Sequence, residues 1–293
     1  MSAQMATARA GHTTHGFKLN TNPSRLLTHA ILIGAGFIYM YPFLWVLAAS
    51  FKTPGEFFSS GLSLIPHQIM FDNYIYAWNA GNFSTYFMNT IIITVSVTLL
   101  VILFTSMSGY VLSKTAFPGK KLVIGGMLVL MFLPGGYTVI PLFDLVQRMG
   151  LLNNLLGIIV VQTAGGLIFN TLLFMGYFAT ISKEMEEAAR VDGASLPVIY
   201  WKIMLPMAKP MIATVGLFQF MINWNSFWIP LIFTIGNAGL RTLAVGMYAF
   251  VGENSTGWTY VAAGAVISIL PIMAVFFFLQ RYFIEAVAGA IKG

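Results

Sequence analysis

The sequence predicts an all-α integral membrane protein with about six transmembrane helices. Of its 293 residues, 58% are hydrophobic and 8% are charged, whereas a soluble domain carries about 25% charged residues. The charged residues separate long uncharged windows, and a spanning helix needs roughly 20 mainly apolar residues. These windows are too long and too little alternating for barrel strands. Helices therefore remain as the way to satisfy the backbone in lipid.

The limits of the candidate spans follow from the flanking charges. The first window lies between Arg25 and Lys52, and the last lies between Glu253 and Arg281. The transmembrane domain is predicted over residues 26–283, between terminal tails at 1–25 and 284–293. Its spans are predicted near residues 26–51, 86–109, 122–143, 155–180, 210–233 and 258–282, with a long connecting loop at 181–209.

Proline and glycine residues interrupt most of these spans. A proline removes a helix hydrogen bond and bends the element, which membranes tolerate where helices pack together or line a cavity. A single interruption is explained by ordinary packing, and the set together is typical of a protein whose helices move. The residues concerned are Pro42, Pro134, Pro141, Gly165, Gly166, Pro230 and Pro271.

The distribution of basic residues predicts the orientation. An even number of spans puts both termini on one side, and cytoplasmic loops carry an excess of Lys and Arg. The termini and the loops on their side hold twelve of the 15 Lys and Arg residues; the other loops hold only Lys52, Arg148 and Arg241. Both termini are therefore predicted to be cytoplasmic, in a multi-pass protein.

Several function classes are disfavoured by what the sequence lacks. There is no cysteine, which excludes disulfides and thiol chemistry. Gly119-Lys120 lacks the other residues of a phosphate-binding loop, so no ATP hydrolysis is expected from this chain. No span carries paired carboxylates, a His cluster or an ionisable relay, which disfavours an enzyme, a metal site and an ion-coupled carrier. The basic residues form no patch for nucleic acid.

The 181–209 loop is predicted to form a helix, a turn and a second short helix. Ser182 can cap the first helix, and Gly193 suits the left-handed residue that ends it. Ser195 can cap the second helix, with Pro197 in its first turn, and Pro206 is predicted to stop it.

One face of the first helix is predicted to dock on another protein. Met185, Ala188 and Ala189 follow the i, i+3, i+4 spacing of a single helix face. Their small alanine side chains allow a groove on a partner to approach the backbone, and a short helix in a groove is a known recognition mode.

These residues carry a resemblance to a known family. Glu187-Ala188-Ala189, then Gly193, then Ile203-Met204-Leu205-Pro206 resemble the EAA signature of binding-protein-dependent ABC importer permeases. The resemblance implies a type I ABC importer permease fold with a cytoplasmic coupling helix that enters a cleft of an ATP-binding subunit. Glu187, Ala188, Ala189 and Gly193 would form the docking contact. Ile203, Leu205 and Pro206 would hold the loop against the bundle.

Two further segments resemble the sugar-importing branch of this family. Asn223-Trp224-Asn225 with Trp228–Ile232, and Gln280–Phe283 with Gly289–Gly293, are similar to the smaller, six-span permease subunit of maltose-type importers. The expected function is a permease subunit of an ATP-driven importer of a mono- or oligosaccharide. A permease for a non-sugar solute, such as a polyamine, phosphonate or amino acid, is the alternative, followed by an ion-coupled carrier.

The resemblance also implies the partners and the location. They are a second, homologous permease, a dimer of ABC ATPases that uses ATP and Mg, an extracytoplasmic solute-binding protein and membrane lipid. The chain itself is expected to bind no cofactor and no nucleic acid. A bacterial or archaeal cytoplasmic membrane is the expected location.

Two sets of residues are candidates for contact with the solute or its carrier. Polar and aromatic residues within spans could line the path, or could equally make interhelical hydrogen bonds. These are Gln162, Asn170, Asn223, Trp224, Asn225 and Trp228. In the resembling family a loop before the last span reaches the binding protein. Here that loop contains Gly252, Glu253, Asn254 and Ser255, which could also be ordinary solvated residues.

Overall fold

The computed structural model describes residues 23–80, 82–133, 138–253 and 257–291. All regular elements in these ranges are helical, as the sequence predicts. The chain divides into two units, residues 1–45 and 46–293. The helix α1 (Pro23–Ala49) supplies the described part of the first unit and continues through Pro42 without ending. Inside a membrane, neighbouring groups can satisfy the carbonyl that such a proline leaves free.

A segment with two short helices follows α1 and holds a fully buried lysine. It contains α2 (Pro54–Ser59) and α3 (Asp72–Ala80). The Nζ of Lys52 donates to Ser60 Oγ at 2.8 Å and to the carbonyl of Ser63 at 2.6 Å. The Nδ2 of Asn73 donates to the carbonyl of Lys52 at 2.9 Å. A buried ammonium needs such acceptors because leaving it unpaired is expensive.

Two long helices form the centre of the second unit. They are α4 (Phe83–Lys114) and α7 (Leu155–Thr180). Ile93, Val97 and Val101 repeat every four residues along α4 and are almost fully buried, which is the pattern of one helix face in a core. Gly165 and Gly166 lie inside α7 and do not interrupt it. A Cβ at Gly166 would lie 2.8 Å from the Val101 side chain in α4. The role of Gly166 is close helix packing rather than a break.

The predicted third span, 122–143, is not one helix. Helix α5 (Lys120–Met131) ends within this range, and a second helix, α6 (Val139–Arg148), begins within it. Pro134 lies outside the described residues. Pro141 lies in the first turn of α6, where its missing N–H has no intrahelical acceptor to lose.

The rest of the chain is a series of helices with several breaks. In order these are α8 (Lys183–Val191), α9 (Leu196–Ile199), a π-helix (Tyr200–Met204), α10 (Leu205–Met207), α11 (Lys209–Trp224), α12 (Trp228–Phe233), a 3-10 turn (Ala238–Leu240), α13 (Leu243–Glu253) and α14 (Trp258–Ile291). The predicted fifth span, 210–233, is therefore interrupted after Trp224. Pro271 lies inside α14 and does not end it.

Four helices among the described residues are long and apolar enough to cross a membrane. They are α1, α4, α7 and α14; a fifth span is possible if the segment Leu196–Met207 and α11, which meet at 74°, count as one broken crossing. Five such crossings, together with a third crossing that is split into α5 and α6, fit the six predicted spans.

Candidate functional site

The first helix of the 181–209 loop has the ends that its sequence predicts. Ser182 Oγ accepts the backbone N–H of Glu184 at 3.2 Å, which caps α8. Gly193 has φ of +81°, a conformation that glycine adopts at little cost. The N–H of Gly193 and that of Ala194 donate to the carbonyls of Arg190 and Ala189. The predicted cap and the predicted terminating glycine are both confirmed.

The predicted face of α8 is wrong in one member. Met185 and Ala188 are exposed, but Ala189 is buried at 8% exposure, together with Glu186 at 5%. The reason is that Glu186 and Ala189, spaced i and i+3, form the side of α8 that packs against the bundle. Met185 and Ala188 lie on the adjacent side of the helix, which faces away from it. The exposed side of the loop therefore carries Met185, Glu187, Ala188, Val191 and Gly193.

The second half of the loop departs from its predicted ends. Ser195 occupies the N-cap position of α9, but its side chain makes no capping hydrogen bond. Pro206 does not stop the helix, which continues to Met207. A π-helix precedes it, in which the N–H of Leu205 donates to the carbonyl of Tyr200. Pro206 then falls in the first turn of α10, where its lack of an N–H is tolerated.

The residues that hold this half against the bundle are mainly ones that the sequence did not single out. Ile203 and Leu205 are half-buried against the core, whereas Pro206 is exposed. Ile199 and Met204 are fully buried. These two residues are five positions apart, which matches a π-helix rather than an α-helix. The i, i+4 spacing of an α-helix would instead place Ile199 and Ile203 on the buried face.

A buried carboxylate joins α8 to α4, and sequence reasoning missed it. Glu186 Oε1 accepts the Tyr110 hydroxyl at 3.3 Å and Arg190 Nη2 at 2.6 Å. The hydrogen bond to Glu186, with its negative charge, raises the pKa of Arg190. The only sequence signal is the i, i+4 spacing of Glu186 and Arg190, because Tyr110 is 76 residues away along the chain.

Charged side chains line a cleft beside this pair. The cleft has a volume of about 240 Å³ and is bounded by residues from α4 and α8: Lys114, Lys183, Glu186, Glu187 and Arg190. Both signs of charge are present, so a partner side chain of either sign could pair here.

Most of the polar residues proposed for the solute path lie inside the bundle. Asn170 is 2% exposed and donates to the carbonyl of Gly166, one turn earlier. Asn223 is 5% exposed and donates to the carbonyl of Gln219 at 2.7 Å. Gln162 Nε2 donates to Ser226 Oγ at 2.7 Å, which links α7 to the segment after α11.

The aromatic and amide residues around the end of α11 divide into buried and accessible ones. Trp224 is 3% exposed, and its Nε1 donates to the carbonyl of Ser268 in α14 at 3.0 Å. Its ring stacks on Phe220 at a centroid distance of 5.3 Å. Asn225 is exposed, and Trp228 is 69% exposed. These two are the path candidates that a solute could reach in this conformation.

The candidate contact with a binding protein is only partly described. Gly252 and Glu253 form the end of α13. Asn254 and Ser255 lie outside the described residues. Within the described part of the chain, no three His, Asp or Glu side chains come together as metal ligands could.

The described residues thus combine helices that can span a membrane with a structured loop that carries a charged cleft. Residues 121–289 match the family of binding-protein-dependent transport system inner membrane components. The chain belongs to this family, so it is a multi-pass permease subunit of an ABC importer.

Relatives of known function cover almost the whole chain. A diacetylchitobiose uptake permease of Streptomyces coelicolor is 35% identical over 91% of this chain and 87% of its own length. A melibiose, raffinose and stachyose import permease of Bacillus subtilis is 34% identical over 93% of this chain and 98% of its own. A crystal structure of a bacterial ABC transporter for alginate import contains a similar chain: 27% identity, TM-score 0.75, 92% and 99% coverage.

Proposed function

We propose that this chain is a permease subunit of an importer for a carbohydrate, a mono- or oligosaccharide. The observation that carries the proposal is that relatives of 32–35% identity are named for diacetylchitobiose, melibiose, raffinose, stachyose and arabinooligosaccharides. Such similarity over nearly full length supports a common class of solute. Another relative, 30% identical, is named for osmoprotective compounds, which keeps a non-sugar solute as the alternative.

An uptake panel tests the solute class. The chain is reconstituted with its co-purified partners, and uptake of radiolabelled solutes is measured one at a time. The saccharides are raffinose, arabinotriose and diacetylchitobiose, and the non-sugar solutes are spermidine, a phosphonate and glutamate. ATP-dependent uptake of at least one saccharide is expected. Uptake of a non-sugar alone would contradict the carbohydrate assignment, and uptake without nucleotide would favour the ion-coupled carrier.

We further propose that the exposed side of the 181–209 loop docks on an ABC ATPase, one of a dimer that binds and hydrolyses ATP with Mg. The short helix α8 presents Met185 and Ala188 as apolar contacts, and Glu187 stands at the edge of the charged cleft. A helix of this kind fits a groove. The chain itself would bind neither nucleotide nor metal.

Charge reversal on α8 tests the docking. Glu187→Lys is expected to lower co-purification of the ATPase roughly tenfold or more, as for loss of one partner of a buried charge pair. Glu184→Lys is the matched control, because Glu184 is exposed on the same helix but lies outside the cleft. Equal recovery of ATPase with both variants would refute the role of Glu187.

The remaining partners and the orientation follow from the same proposal. A second, homologous permease would complete the path, and an extracytoplasmic binding protein would deliver the solute to the loop with Gly252–Ser255. Both termini would lie in the cytoplasm of a bacterium or archaeon. Native mass spectrometry of the complex tests for two different permeases, and deletion of residues 252–255 should weaken capture of the binding protein. Terminal reporter fusions test the orientation.

The accessible part of the path is proposed to be Asn225 and Trp228. An exposed indole beside an amide can stack on a sugar ring and bond its hydroxyls. Asn170, Asn223, Trp224 and Gln162 would then shape the path from behind, through the hydrogen bonds described above, and would reach the solute only if the helices rearrange.

A further inference from the structure

Three residues on one face of α4 each hold a different part of the 181–209 loop. Ser106, Tyr110 and Lys114 are spaced by four residues, so they lie in one row along the helix. The Ser106 hydroxyl is 2.8 Å from the Tyr200 hydroxyl in the π-helix. Tyr110 donates to Glu186 in α8. Lys114 Nζ donates to the carbonyl of Ile181, just before α8.

The aromatic centre of this row is buried. The ring of Tyr110 lies 5.6 Å from that of Tyr200 and 5.7 Å from that of Phe178 in α7. Tyr110 and Tyr200 are 3% and 4% exposed. A carboxylate as buried as that of Glu186 would be costly without its partners, so the arrangement has little freedom to rotate or slide.

We propose that Ser106, Tyr110 and Lys114 clamp the loop to α4, so that α4 and α8 move as one rigid body when the ATPase moves the loop. The inference rests on the proposed function, because it needs an ATPase as the source of movement. It names α4 as the span that receives the motion, with Glu186 and Tyr200 as the positioning residues on the loop.

Helix α7 is also attached to the loop. It leads into the loop directly, and its Tyr177 hydroxyl donates to the carbonyl of Met207 at 3.0 Å. That bond is exposed, whereas the Ser106–Tyr200 and Tyr110–Glu186 contacts are buried. Bonds that exclude water hold their geometry better than exposed ones.

Spin-label distances test the clamp in the assembled importer. The absence of cysteine allows specific labelling at introduced cysteines. One label goes on α8 by Glu184→Cys and the second on α4 by Leu99→Cys or on α14 by Leu270→Cys, all at exposed positions. Distances are measured without nucleotide and with ATP in EDTA.

The two label pairs should respond differently. The 184–99 distance should stay within its line width, whereas the 184–270 distance should change with ATP. A nucleotide-driven change in the 184–99 distance overturns the clamp while leaving the proposed function intact. If neither distance changes, ATP drives no movement of the loop, and that result would overturn both the proposed function and the clamp.

Variants then test whether the clamp transmits motion. A third label pair, Leu99→Cys with Leu270→Cys, reports the movement of α4 relative to α14. In Tyr110→Phe/Ser106→Ala, the fraction of molecules that reach the ATP-bound 99–270 distance of the wild type should fall roughly tenfold, the loss expected from a hydrogen bond to a charged group. Basal ATP hydrolysis should remain, which separates transmission from folding. Tyr248→Phe is the control for the lost hydroxyl, because Tyr248 is 68% exposed. Glu186→Gln, which keeps an acceptor for Tyr110, should retain more movement than Glu186→Leu. Wild-type movement in the double variant would overturn the proposal.

Discussion

Gly109 in α4 packs so closely on Phe174 in α7 that a Cβ atom at Gly109 would lie 2.6 Å from the Cβ of Phe174. Phe174 is fully buried. Where small residues let two helix backbones approach, the gain is in van der Waals contact along the whole crossing. The pair of central helices therefore depends on the absence of a side chain at position 109.

Gly109→Val should destabilise the protein by at least about 1–3 kcal/mol, because the added atoms force α4 and α7 apart. The measurement is the midpoint of thermal unfolding in detergent, monitored by intrinsic tryptophan fluorescence. Gly125→Val in α5 is the control, since nothing lies within 4 Å of a Cβ there. Equal midpoints for the two variants would show that the close packing contributes nothing.

Lys52→Met should loosen the segment between α1 and α4. The substitution leaves the carbonyl of Ser63 and the hydroxyl of Ser60 without their donor, which removes two part-buried hydrogen bonds of about 1 kcal/mol each. Hydrogen exchange measured by mass spectrometry should rise in residues 53–72. Lys121→Met, at an exposed position, should leave that exchange unchanged. If Lys52→Met also leaves it unchanged, other contacts hold the segment.

Gly193→Val should disrupt the end of α8 and uncouple transport from hydrolysis without preventing membrane insertion. A β-branched residue at φ of +81° is strained by about 1–2 kcal/mol, and the strain falls on the exposed side of the 181–209 loop. Gly193→Asn is the comparison, because asparagine tolerates this conformation. The ratio of solute uptake to ATP hydrolysis should fall for valine and stay near wild type for asparagine. Normal coupling with valine would count against the role of this loop.

Trp224 and Trp228 should respond differently to substitution, although they are four residues apart. Trp224→Phe removes the bond to Ser268 and should cost about 1 kcal/mol in stability with no change in solute affinity. Trp228→Ala should weaken solute affinity with little effect on stability, because its side chain is exposed. Uptake measured against solute concentration gives the affinity, and thermal unfolding gives the stability. A loss of affinity in Trp224→Phe with unchanged stability would reverse the assignment.

The sequence is informative where the physics is local. The cap at Ser182 and the turn at Gly193 depend on neighbours within a few residues, so their conformations could be predicted. The four long spans were predictable because each apolar window is bounded by charges. By contrast, the orientation of Ala189 depends on which side of α8 meets the bundle, and no local pattern states that.

The buried partners could not be predicted for a related reason. Glu186 is one of several acidic residues in α8, and only the folded chain brings Tyr110 to it. The polar side chains of Asn170 and Asn223 satisfy carbonyls one turn away in their own helices. In the sequence, an asparagine that makes such a bond cannot be distinguished from one that faces a solute.

The π-helix at Tyr200–Met204 makes the length of the loop as important as its composition. A π turn holds one residue more than an α turn. Deleting a single residue there would let the backbone close ordinary helical bonds, and the π turn that puts Ile199 and Met204 together in the core would be lost. Homologous chains that keep this geometry should therefore vary in side chains here long before they vary in residue number.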